Sequence, residues 1–162
     1  MAKKAGIVLF FVCLLSFFHL EAQDYTHRSK YSTILKIEQI FTPEYDVADA
    51  WQLEKKDIEI MEKNFKKLTL ISAVGLESYK IKEKNLDTYA YQYVGVIIDD
   101  KKYIYINAFA FSDKKELEKF HKNWKIEFVD PQMMMDGGTG YFRVLFNIEG
   151  MKFERLIFNG RG

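Results

Sequence analysis

Apolar and polar positions change rhythm several times along the chain, and each rhythm predicts an element. Gly6 to Leu20 is almost unbroken apolar sequence behind Lys3 and Lys4. A membrane-spanning helix needs about 20 such residues, so this shorter run reads as the core of a secretory signal peptide, residues 1–22, cleaved after the small Ala22. Residues 23–32 are polar and read as a flexible lead. Thr33 to Phe41 alternates around Ile34, Leu35, Ile37 and Ile40, which predicts a first strand, and Thr42-Pro43 ends it. From Lys55 to Leu68 the period becomes helical, with Ile58, Met61, Phe65 and Leu68 on one face. Asp57 in the first turn suits the helix dipole, and Glu59–Lys63 and Glu62–Lys66 are supporting pairs.

Thr88 to Ile98 and Tyr103 to Phe111 are rich in Tyr, Val and Ile and flank Asp99-Asp100-Lys101-Lys102, the pattern of a hairpin. With the turn centred between Asp100 and Lys101, Tyr93 lies opposite Ala108 and Tyr91 opposite Ala110. Both faces are largely apolar, so this hairpin needs cover on both sides. Asp113 with Glu116 resembles a capping box that starts a short helix, along which Leu117, Phe120 and Trp124 align. A further strand is expected near Lys125 to Val129. Gly140 to Ile148 and Met151 to Asn159 form a closing hairpin around Glu149-Gly150. Its buried face is expected to carry Phe142, Val144, Phe146, Ile148, Met151, Phe153, Arg155, Ile157 and Asn159. Arg143, Asn147, Lys152 and Glu154 fall on the other face. The order predicts one α+β domain over residues 33–162: an antiparallel β-sheet of about five to six strands, with one main helix and one short helix packed on it.

Composition narrows the function. At 162 residues, 48% hydrophobic and 16% aromatic, the chain has a core for one domain and is not disordered. Its 24 Lys+Arg against 23 Asp+Glu leave no basic excess for nucleic acid. Around Lys114 to Lys125, Asp113, Glu116 and Glu118 offset the lysines. Cys13 lies in the leader, so the exported chain would have no disulfide, thiol nucleophile or cysteine ligand. His27 and His121 have no second ligand at metal spacing, and no phosphate-cradling, dinucleotide or nucleophile-elbow motif is present. No catalytic, cofactor or metal residues are therefore expected. Carboxylates sit mostly in mixed Lys/Glu stretches, which are ordinarily solvated faces.

Three features remain as candidate ligand-binding chemistry. Asp136-Gly137-Gly138 follows Met133-Met134-Met135 and reads as a binding loop or, more simply, a glycine-permitted bend. Gln92 and Asn107 are diagonal neighbours beside Tyr105, able to hold a ligand or to satisfy each other inside a core. Asn159, in the closing Phe158-Asn159-Gly160, is a further candidate. The row Tyr89, Tyr91 and Tyr93 reads as packing against a helix rather than a stacking platform.

Trp51 before a helix with Asp57-Ile58 is followed by Tyr91-Gln92-Tyr93-Val94-Gly95, Ile104-Tyr105-Ile106-Asn107 and Phe109. Then come Trp124, Asp136-Gly137-Gly138 with Tyr141-Phe142, and Phe158-Asn159-Gly160. In that order they resemble a family of small secreted bacterial proteins of unknown function. The resemblance covers Trp51 to Gly160 and implies a single exported domain, with no reaction assigned. The chain is therefore expected to be a secreted or periplasmic, non-enzymatic binding or interaction domain. Its partner would be a protein or small-molecule ligand of the envelope or exterior, with no nucleic acid and no membrane span after cleavage. The rival readings are a small metal-independent hydrolase using acidic residues and a structural subunit of an envelope assembly.

Overall fold

Between Tyr89 and Ala110 the only charged residues are Asp99, Asp100, Lys101 and Lys102, and the chain folds back on itself at that polar break. A computed structural model describes residues 31–39, 45–76, 78–123 and 140–159. The two long strands are β3 (Tyr89–Ile98) and β4 (Lys101–Ala110), preceded by β1 (Ser32–Ile34) and β2 (Asp49–Ala50) and followed by β5 (Tyr141–Asn147) and β6 (Lys152–Phe158). The sheet runs β1-β3-β4-β5-β6, with β2 also on β3. The fold is α+β with a mostly antiparallel sheet; the exception is β1, which pairs parallel to β3.

The β3–β4 turn is tighter than the sequence pattern predicts. Asp99 and Asp100 take φ of 50° and 59°, so two residues suffice in the left-handed geometry that matches strand twist, which short Asp side chains tolerate. The register moves by two positions: Tyr91 faces Ala108, and Gln92 lies directly opposite Asn107 rather than diagonal to it. The faces are unchanged by an even shift.

The main helix α1 covers Lys55–Lys63 and gives way to a 3-10 turn over Phe65–Leu70. Glu54 precedes it, and its backbone N–H donates to Asp57 Oδ2 at 2.9 Å. Asn64 ends the helix by folding its amide onto the Ile60 carbonyl at 2.8 Å. Ile58, Met61, Phe65 and Leu68 nevertheless all enter one cluster with Tyr89, Tyr91, Tyr93, Ile104, Ile106, Phe142, Val144, Phe146 and Phe153. Burial, not helical continuity, holds that stripe together.

The opposite face is covered by two groups. Leu35 and Tyr45 pack on Val94, Val96, Tyr103, Tyr105 and Leu145. Tyr31 and Leu117, the latter from the short helix α2 (Lys114–Asn123), pack on Ala90 and Phe109. At the start of α2, Asp113 Oδ1 accepts the Glu116 N–H at 2.8 Å, and Glu116 accepts the Ser112 N–H and hydroxyl, both at 2.7 Å. Those bonds to Ser112 hold the Glu116 carboxyl below its ordinary range.

Three expectations are corrected. The first strand is Ser32–Ile34 only, because Gln39 Oε1 takes the Lys36 N–H at 2.8 Å and Ile37–Gln39 becomes a 3-10 turn. Tyr31 and Ser32 join the fold instead of the polar lead. The closing hairpin keeps the predicted Phe146–Phe153 pairing, yet Arg155, at φ 54°, forms a bulge opposite Val144. Past it the strand flips: Leu156 and Phe158 pack with the main core, and Ile157 turns to the other face. Met151 belongs to the turn and is half exposed. The signal peptide, the strand near Lys125 to Val129, Trp124 and Asp136-Gly137-Gly138 lie outside the described residues.

Candidate functional site

Of the residues singled out in the sequence, Gln92, Asn107 and Tyr105 come together on one sheet face. Gln92 and Asn107 are buried, and Asn107 Nδ2 donates to Gln92 Oε1 at 2.8 Å. They separate the two apolar groups of that face, and Tyr105, also buried, lies in one of these with its ring edge-on to Tyr45 at 5.8 Å. Asn159 is buried at the end of β6, its N–H on the Tyr141 carbonyl at 3.0 Å. This constellation is interior: the two amides satisfy each other as a buried pair should.

An opening in the surface lies elsewhere, at the edge of β3. β1 is held there by the Leu35 N–H on the Tyr93 carbonyl at 2.9 Å, and then swings away through the Ile37–Gln39 turn. The chain returns antiparallel, with the Ala48 N–H on Ile97 O at 2.9 Å and the Trp51 N–H on Gly95 O at 3.1 Å. Two short strands of opposite direction thus share one edge and part at Val94–Gly95. The result is a cleft of about 520 Å³, walled by residues 34–38 and 50–53, with Val94 and Gly95 as its floor.

Gly95 makes that geometry possible. A Cβ there would run into the Trp51 carbonyl oxygen and lie 3.1 Å from Cδ1 and Cε2 of the indole, so only glycine lets the Trp51 segment come this close. The indole is fixed by Nε1 donating to the Tyr103 carbonyl at 3.0 Å, and the Lys102 ammonium sits 5.1 Å from its ring centroid. The lining is mainly apolar, through Leu35, Ile37, Ala50, Leu53 and Val94, with Lys36, Glu38 and Gln52 supplying polar groups. Mixed apolar walls with a few polar groups are what ligand clefts carry.

One strand position from the floor, Tyr93 donates to Glu62 Oε1 at 3.3 Å beneath α1. Burial first, and then the Glu62 charge, push the Tyr93 hydroxyl well above the usual tyrosine range. Glu62 does not line the cleft. Among the described residues no group of three His, Cys, Asp or Glu side chains could hold a metal ion. No helix among them is long and apolar enough to cross a membrane.

Sequence reading marked both Trp51 and Gly95 as parts of a pattern without joining them. The available sign was a lone glycine inside an otherwise bulky strand, which marks close approach of another backbone. Comparison with known proteins adds nothing further: no family model, no curated protein and no solved structure matches the chain.

Proposed function

We propose that this protein is an exported, non-enzymatic binding domain that takes its ligand in the cleft at the edge of β3. The observation that carries the reading is the cleft itself, an apolar-walled opening held in shape by Trp51 on Gly95. A hydrolase built on acidic residues needs two converging carboxylates, and among the described residues Glu38 is the one carboxylate in the lining. An envelope-assembly contact through the aromatic sheet face would need that face exposed, whereas Tyr89, Tyr91 and Tyr93 are packed under α1 and its neighbours. The leader-like first 22 residues and the resemblance to small secreted proteins support export to the periplasm or exterior.

The test uses Trp51 as reporter in a Trp124→Phe background, with 1-anilinonaphthalene-8-sulfonate as an amphiphilic probe. Saturable binding with energy transfer from Trp51 is expected, weakened about tenfold by Ala50→Phe, which fills the cleft. Binding unchanged by Ala50→Phe would remove the cleft from the account. Export is tested separately by intact mass of the secreted chain, which should begin at Gln23; a chain still starting at Met1 would sink that part.

A further inference from the structure

Among the described residues, the two outer edges of the sheet are guarded unequally. Along β6, Lys152 pairs with Glu154 at 3.0 Å, Arg155 bulges, and the Val74 N–H covers the Leu156 carbonyl at 2.8 Å. Charge, local twist and a covering segment are the means by which native sheets refuse an added strand. β1 has none of the charge: it reads Ser32-Thr33-Ile34, two of its three residues β-branched and suited to pairing. Tyr31 accepts from the Tyr91 N–H and Leu35 donates to the Tyr93 carbonyl, so odd-numbered residues bond inward. The N–H and C=O of Ile34, between them, face outward. The Ile34 side chain is 48% exposed and forms part of the cleft wall.

We propose that the outer edge of β1 accepts an extended polypeptide as an added strand, with a side chain of that polypeptide reaching past Ile34 into the cleft. The inference rests on the binding reading above and names its ligand class. Outward backbone donor and acceptor groups, here the N–H and C=O of Ile34, are matched by another backbone, with side-chain pockets adding selectivity. Lys36 and Glu38 on one wall and Gln52 on the other offer both charges and an amide, which suits the mixed groups of a peptide. A second copy of this chain is the weaker occupant. Twofold pairing of three-residue strands would bring one exposed apolar side chain from each, far short of the roughly 800 Å² per partner of a stable interface.

Random linear decapeptides displayed on phage are panned against the immobilised protein, and a selected peptide is resynthesised with N-methyl groups on alternate amides. Methylating one alternate set should weaken binding by about tenfold or more and the other set hardly at all, because only one set faces β1. Ile34→Pro removes the outward N–H and leaves the inward ladder intact, and should weaken binding by a similar factor. Ile34→Lys keeps the N–H but adds the charge that guards natural edges; it should also bind poorly, and it stands if proline disturbs the fold. Equal losses from the two methylated sets, or wild-type affinity in both Ile34 variants, overturns the proposal. So does a panning that returns no peptide, or self-association of the protein that Ile34→Pro abolishes. The naphthalene probe separates the readings: probe retained with peptide lost in the Ile34 variants supports both. Peptide binding that survives Ala50→Phe while the probe is lost leaves the edge and removes the cleft side chain.

Discussion

The two faces of the sheet are made by the same strands on different terms. One is a single apolar cluster under α1, in which the Tyr91 hydroxyl donates to the Leu86 carbonyl at 2.6 Å and the Tyr93 hydroxyl to Glu62. The other is interrupted by Gln92 and Asn107, which split it into two apolar groups. A slip of two residues between β3 and β4 would leave every side chain on its own face and cost the first face little discrimination. It would part Gln92 from Asn107, break the buried bond between them and set each amide against apolar neighbours. The apolar face supplies stability; the interrupted face, with the Asp99-Asp100 turn, supplies the register.

The largest effect that tests this division is on the continuous face. Phe153 is buried, its ring tilted against Phe146 at 4.9 Å and stacked on Phe65 at 5.9 Å. Phe153→Ala should cost about 3–5 kcal/mol in equilibrium urea unfolding. Next comes the interrupted face: Gln92→Leu or Asn107→Leu alone should cost about 1–3 kcal/mol, since each breaks the buried amide–amide bond and puts an apolar group against the remaining polar one. The double variant should cost less than the sum. Additive losses would show that the pair does not act as a unit.

A third effect is visible only in alkali. Tyr93 titrates in the folded chain well above its unfolded value, so above about pH 10 the unfolded state loses a proton the folded state keeps. Stability is full below that pH and falls as pH rises, by up to about 1.4 kcal/mol per unit for one such group. Tyr93→Phe should flatten the slope between pH 10 and 11 in denaturant titrations; an unchanged slope would place the alkaline loss on other groups. The smallest effects are expected from Lys152→Ala and Glu154→Ala, within about 0.5 kcal/mol each, because the pair sits at 64% and 28% exposure. A loss from Glu154→Ala as large as that from Phe153→Ala would redraw the hairpin.

What the sequence made legible follows the strength of local pattern. The α1 stripe, the two hairpins, the α2 start and the Phe146–Phe153 pairing come from periodicity and turn chemistry, which act over a few residues. The Arg155 bulge did not show, because a one-residue insertion leaves apolar residues at both Leu156 and Ile157 and periodicity cannot choose between them. The pattern draws β1 too long and misses β2 for a related reason: both are too short to set a rhythm, and their partner lies far along the chain in β3. The cleft shares that cause. It exists only where two remote segments meet one edge, so its residues carry no local signature, whereas Gln92 and Asn107 drew notice as amides in an apolar run and turned out to be interior.

The bulge at Arg155 has a consequence for the order of assembly. Its carbonyl accepts the Tyr45 hydroxyl at 2.9 Å, across 110 positions of sequence, and the Tyr31 hydroxyl reaches Glu118 across 87. Tyr45 can find that acceptor only after the last hairpin has formed and kinked, and β1 and β2 have no strand to join before β3 exists. Contacts of such span close late, since their loop entropy is met only when the rest is in place. Tyr45→Phe should therefore speed unfolding and leave the refolding rate nearly unchanged, the mark of a bond absent from the transition state. The earlier segment waits on the later one, and the walls of the cleft close after the sheet edge they stand on.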